Sequence, residues 1–158
     1  MNQDGAILLV EDSPDDVYLF ERAYAKLGLR NPLKVVTSGE DAIHYLKQED
    51  LYADPGQFPF PVLVFLDLKM RRLDGFEFLA WLRQQPAFSH LPVVVLTSSP
   101  YIQDVTRAYQ AGANSFITKP NSPEGFDQAL KQVTDFWLMI GSLPVAPENP
   151  QMPPAPPP

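Results

Sequence analysis

The sequence predicts an α/β fold: a five-stranded parallel sheet in the order 2-1-3-4-5, flanked by five helices. Three observations predict it. Five short apolar runs recur between Ala6 and Thr118. Each is followed by apolar residues at helical spacing, so strand and helix alternate, which marks a parallel sheet. The runs are continuous where an exposed strand would alternate, as expected of strands covered on both faces. A right-handed wind from the middle outward then gives the flavodoxin-like strand order.

The first strand is Ala6 to Val10, ending in Glu11-Asp12. Ser13-Pro14-Asp15-Asp16 opens a helix, with Ser13 as N-cap, Pro14 at the first helical position and acids in the first turn. Val17, Phe20, Tyr24 and Leu27 recur at helical spacing, and Gly28 suits the C-terminal cap. Leu33 to Val36 is the second strand; Ser38 caps a helix with Ala42, Ile43 and Leu46 inward. Residues 50 to 60, with Pro55, Gly56 and Pro59, form a loop. Val62 to Leu66 is the third strand, and Asp74 caps the helix carrying Phe78, Leu79 and Leu82. Val93 to Leu96 is the fourth strand, ending in Thr97-Ser98-Ser99, and Ser99-Pro100 is expected to start a helix that Gly112 ends. Ser115 to Thr118 is the fifth strand, followed by Lys119-Pro120, and Ser122-Pro123 starts the last helix.

With 158 residues the chain suits one domain, over residues 1–141. Eight of its 18 prolines fall between Pro144 and Pro158, so residues 142–158 read as a Pro-rich tail that packs no core of its own. A net charge of -7 argues against nucleic acid and against an anionic membrane surface as partners. No apolar run reaches the roughly 18 residues of a transmembrane helix. The absence of cysteine excludes disulfides, thiolate metal sites and a Cys nucleophile, and fits a cytoplasmic protein.

In an open α/β sheet, ligands bind outside the carboxyl ends of the strands. Strand 1 ends in Glu11 and Asp12, strand 3 in Asp67, strand 4 in Thr97, and Lys119 follows strand 5. Each has a plain reading alone: helix-start acids, a strand-end cap, a surface lysine. Together at one edge they do not. Three converging carboxylates repel unless a cation sits among them, and hard oxygen ligands suit Mg²⁺. With a hydroxyl and an ammonium, the group makes a receptor for a tetrahedral dianion bonded to Asp67.

These residues, at the intervals from Asp67 to Thr97 and from Thr97 to Lys119, resemble the response-regulator receiver domain of two-component systems. The interval from Asp12 to Asp67 is longer, and the 50–60 loop accounts for it. The resemblance implies roles. Asp67 would accept a phosphoryl group from a sensor histidine kinase. Asp12, Asp67 and the backbone carbonyl of Lys69 would hold Mg²⁺, with Glu11 direct or through water. Thr97 and Lys119 would hold phosphoryl oxygens, and Phe116 would be an aromatic switch. The Lys119–Pro120 bond would be cis. The chain departs from the family at Arg71, often a proline there, and at Ser98, where a smaller residue is preferred. Lys69, Arg71 and Arg72 together make a basic rim over the acidic pocket, which reads first as a solvated loop and otherwise as a rim that attracts the phosphodonor or alters water access. The long loop and the ending FWLMIGSLPVAP are similar to stand-alone receivers that serve bacterial phytochrome kinases.

The stretch after the last helix is too short for a DNA-binding module, so protein–protein contact, phosphorelay or feedback on the kinase is the expected output. Two alternatives compete. A degenerate receiver used as a constitutive binding module would not need all five site residues. An aspartyl-nucleophile phosphatase of the haloacid-dehalogenase type would need an acid where Lys69 stands. His44 and His90 read as surface or loop residues, and Trp81 as packing. In the last helix Phe126, Ala129, Leu130, Val133, Trp137 and Ile140 form one stripe, with Phe136, Leu138 and Met139 off it. A homodimer through Phe136, Trp137, Leu138, Met139 and Leu143 of the arm is expected in preference to a disordered tail with the helix end folded back on its own domain.

Overall fold

The computed structural model describes residues 5–99 and 101–140. Its elements run β1 (Ala6–Val10), α1 (Pro14–Ala25), β2 (Leu33–Val36), α2 (Gly39–Lys47), β3 (Pro61–Leu66), α3 (Gly75–Gln84), β4 (Val93–Thr97), α4 (Ile102–Ala111), β5 (Ser115–Thr118) and α5 (Pro123–Thr134). A short 3₁₀ turn, Asp50–Tyr52, interrupts the long loop before β3, and a π-helical turn, Asp135–Ile140, prolongs α5. The sheet order is β2-β1-β3-β4-β5, all neighbours parallel, as the alternation predicts.

The caps explain most of the helix boundaries. Ser38 accepts a hydrogen bond from the Asp41 amide at 3.0 Å, Asp74 from Glu77 at 2.9 Å and Ser122 from Gly125 at 3.0 Å. Each satisfies an amide that has no partner inside its helix. The two core clusters lie on opposite sheet faces. Leu8, Val10, Val64, Leu66 and Val95 point to the α2, α3 and α4 side, and Ile7, Leu9, Leu63, Phe65 and Val94 to the α1 and α5 side. Trp81 packs against the first cluster, its ring 6.2 Å from that of Phe78.

Four expectations change. α1 is capped at Lys26, so Gly28, at φ 62°, lies beyond the helix. α4 begins at Ile102 with Tyr101 as N-cap, not at Ser99-Pro100; the Ser99 hydroxyl is engaged by the Asp104 carboxylate instead. No cis peptide bond occurs among the described residues, so Lys119–Pro120 takes the trans form that X–Pro bonds favour. The stripe of α5 also slips phase. Buried positions run Phe126, Leu130, Thr134 and Leu138, while Trp137 is half-buried. The Thr134 hydroxyl donates to the Leu130 and Lys131 carbonyls at 2.9 and 3.1 Å, a back-bond that disturbs the helix, and the wider π turn follows. Leu138, placed off the stripe by α-helical spacing, is thereby turned into its own core at 5% exposure; Phe136 and Met139 stay outside at 54% and 58%. Leu143 and the Pro-rich arm lie outside the described residues.

Candidate functional site

The sheet ladder runs one residue past the strands and fixes the functional side chains at its carboxyl edge. The Glu11 amide donates to the Val36 carbonyl at 3.0 Å, the Asp67 amide to Val10 at 3.0 Å and the Lys119 amide to Thr97 at 2.7 Å. Glu11, Asp12 and Asp67 consequently converge, each offering a carboxylate oxygen, and these oxygens all lie within 4.8 Å of one another. Glu11 and Asp67 are buried, at 2% and 6% exposure.

The Lys119 ammonium reaches across the acids. Its Nζ lies 2.8 Å from Glu11 Oε2, 2.8 Å from Asp16 Oδ2 and 3.7 Å from Asp67 Oδ2. Burial alone would pull its pKa down, but the hydrogen bonds it donates to Asp16 and Glu11 and the Asp67 charge together hold it above the usual lysine value. Backbone amides of the β3–α3 loop complete the frame. Lys69 N–H donates to Asp67 Oδ1 at 3.3 Å and Arg71 N–H to Asp12 Oδ2 at 3.2 Å. Gly75 is required where that loop enters α3: a β-carbon there would stand 2.4 Å from the Asp67 carbonyl oxygen.

The structure brings together Glu11, Asp12, Asp67 and Lys119, with Thr97 ending the strand next to that of Asp67. Thr97 is fully buried, and its hydroxyl has no hydrogen-bond partner. Such a buried orphan is costly unless a group outside the folded chain satisfies it. Phe116 is half-buried on β5, packed against the α4 side of the core, and its amide donates to the Tyr109 hydroxyl at 3.2 Å. Asp16 was not foreseen as a site residue. Its place in the first turn of α1, four residues after Asp12, is the signal that sequence reading assigned to helix capping. Of the two histidines, His44 is a half-exposed helix residue 3.1 Å from Glu49, and His90 sits in the turn before β4.

Four carboxylates, Glu11, Asp12, Asp16 and Asp67, face one ammonium. Burial, the largest influence, pushes the Glu11 carboxyl up to about 7; the Lys119 hydrogen bond pulls it down and the Asp67 charge pushes it up again. The donor set, carboxylate oxygens without thiolate or imidazole, fits a hard divalent cation that would relieve this excess of negative charge.

The proton balance sets a test. Folded Glu11 holds its proton more tightly than an ordinary carboxyl of 4.5, so its stabilising contribution is complete below that value and is lost as pH rises through about 7. In metal-free buffer the melting temperature of the wild type relative to Glu11→Gln, which cannot titrate, falls across that window. Added Mg²⁺ reduces the fall. A relative melting temperature that is flat or rises with pH contradicts the charge balance described.

The family model for the response regulator receiver domain matches residues 7–131. Response regulator Rcp1 of Synechocystis sp. is 33% identical over 145 residues, covering 92% of this chain and 97% of that protein. A Mn²⁺-bound form of Rcp1 superposes with a TM-score of 0.79 at 33% identity, over 89% of this chain and 99% of that one. The phosphorylated cyanobacterial phytochrome response regulator RcpA superposes with a TM-score of 0.82 at 34% identity, over 90% and 99%. Sheet order, acid cluster, lysine and family match agree, and the chain belongs to the response regulator receiver domains of two-component phosphorelay signalling.

Proposed function

We propose that Asp67 is the phosphoryl acceptor and that its donor is the phosphohistidine of a sensor kinase of the phytochrome type. The observation that carries this reading is the buried, partnerless Thr97 hydroxyl on the strand beside Asp67, with Lys119 reaching in from the other flank. An oxygen of Asp67 attacks the phosphorus as the bond from phosphorus to the donor imidazole nitrogen breaks, and that nitrogen keeps the electron pair. Asp12 and Asp67, with Glu11 and the Lys69 carbonyl, would hold Mg²⁺, which supplies charge neutralisation for the phosphoryl oxygens. Thr97 donates its free hydroxyl to one phosphoryl oxygen, and Lys119 shares its protons between another and the acids it already touches. Little covalent chemistry is asked of the chain beyond the acceptor itself, so positioning and charge suffice.

Drawing Thr97 toward the phosphoryl group changes the packing at the carboxyl end of β4. Phe116, half-buried on the neighbouring strand, is the side chain placed to respond, and Tyr109 is tied to it through its amide. A two-state repacking of this kind would carry the charge event to the α4–β5 face. The kinase assignment rests on the likeness to the phytochrome response regulator RcpA.

With Mg²⁺ and phosphoramidate, the wild type gains one acid-stable, base-labile phosphoryl group, and Asp67→Asn gains none. Thr97→Ala slows labelling by about 10²-fold, the usual effect of deleting one donor aimed at developing charge. Undiminished labelling of Asp67→Asn sinks the assignment.

The exposed Phe136 and Met139, with Trp137 beside them, support a homodimer packed through the end of α5 and the following arm, including Leu143. Leu138 is excluded from that surface by its burial in its own core. The two roles separate experimentally. Phe136→Ala with Met139→Ala shifts the protein to monomer in light scattering, whereas Leu138→Ala lowers the unfolding free energy by about 2–4 kcal/mol. A wild type that is monomeric at high concentration ends the dimer reading.

A further inference from the structure

A groove with a volume of about 1010 Å³ opens beside the acid cluster. Asp12, Ser38, Asp41, Lys69, Arg71 and Arg72 are among the residues that line it. None of these three cationic side chains forms an ion pair among the described residues, although the chain as a whole carries a net charge of -7. The Lys69 ammonium lies over the Tyr101 ring at 5.7 Å, and Arg71 and Arg72 are exposed.

The loop that carries them is built to hold one shape. Arg72 has φ 61°, in the left-handed region that a residue with a β-carbon avoids. Two contacts from the start of α2 hold it there. The Leu73 amide donates to Glu40 Oε1 at 3.2 Å, and Gly39 packs so closely that a β-carbon would stand 2.8 Å from the Leu73 carbonyl oxygen. Hydrogen bonds from its own amide, against the raising effect of burial, then from Leu73, and the Arg72 charge nearby, hold the Glu40 carboxyl below the usual value. Backbone strain maintained by its surroundings points to a function for the residue that bears it.

The charge balance selects the kind of partner. Among the lining residues, Asp12 is engaged by the Arg71 amide and belongs to the acid cluster, which leaves Asp41 against three cations; Glu40, outside the lining, stands near Arg72. Small-molecule pockets are mostly apolar and enclose their ligand, whereas this groove is open and charged. It therefore suits acidic side chains presented by a protein.

We propose that the groove docks acidic residues surrounding the phosphohistidine of the donor kinase, with Arg72 setting the rate of productive encounter. The inference rests on the reading of Asp67 as phosphoryl acceptor. Charges at the rim of an interface act chiefly on the association rate and its salt dependence. Arg72 is the suitable probe because its side chain touches none of the acids at Asp67.

The test compares a protein donor with a small one. A panel of autophosphorylated phytochrome-type kinases is offered to the wild type, and the fastest donor is taken forward beside phosphoramidate. For that kinase, kcat/KM falls roughly 3- to 10-fold in Arg72→Gln in dilute buffer, falls further in Arg72→Glu and is restored in Arg72→Lys. At about 0.5 M salt the four proteins converge. Phosphoramidate labels all four at one rate. Equal losses with both donors, or no loss with the kinase, overturn the proposal. If phosphoramidate labels Asp67 but no kinase does, the docking inference fails while the acceptor reading stands. If neither donor labels the wild type, the acceptor reading itself fails.

Discussion

The mutual repulsion of buried carboxylates at the carboxyl ends of β1 and β3 is the constraint on which the rest of the site depends. Glu11, Asp12 and Asp67 are delivered to one small volume by the ladder of a parallel sheet, and Asp16 joins them from the first turn of α1. A folded chain tolerates such a cluster only with opposite charge at hand. Lys119 supplies one positive charge at 2.8 Å from both Glu11 and Asp16. Burial in that small volume pushes the Glu11 carboxyl up to about 7, with the Asp67 charge adding to it, and the remaining excess of carboxylates fits a hard cation. On the reading proposed for Asp67, a phosphoryl group there would reorganise an existing charge network.

The surrounding structure serves to keep that cluster from spreading. The β3–α3 loop points two amides at the acids, and its course is held by Gly75 at one end and by Glu40 and Gly39 of α2 at the other. On the opposite flank, Arg83 fastens α3 to the end of α4. Its guanidinium donates to the carbonyls of Gly112, Ser89 and Leu91 and to Asn114 Oδ1, all between 2.7 and 2.9 Å. Thus the C-terminal end of α4 is anchored, while its start, near Tyr101, is attached through side-chain contacts such as the Lys69 ring contact.

Much of this was legible in the residues. Strand order, the caps at Ser13, Ser38, Asp74 and Ser122, and the convergence of Glu11, Asp12, Asp67 and Lys119 follow from periodicity and spacing, which are local signals. What was not legible depends on contacts between distant residues. Asp16 looks like any first-turn acid until α1 is docked beside Lys119. The register of Leu138 depends on a π turn that α-helical spacing does not contain. The 50–60 loop carries turn residues and reads as irregular, yet Tyr45, Tyr52 and Phe58 pack there with ring centroids 5.1 to 6.0 Å apart, and the Tyr45 hydroxyl donates to the Pro59 carbonyl at 2.7 Å. Arg83, in the last turn of α3, carries no local signal of the carbonyls that the fold brings to it.

We propose that the Thr97 hydroxyl and the Lys119 ammonium are held ready for a phosphoryl group on Asp67. A crystal structure with Mg²⁺ and beryllofluoride bound tests it most directly. The expected complex has fluorides accepting hydrogen bonds from the Thr97 hydroxyl and from Lys119 Nζ, with the lysine drawn away from Asp16. A complex formed at Asp67 in which Thr97 stays without a partner, and Lys119 stays between Glu11 and Asp16, would contradict it.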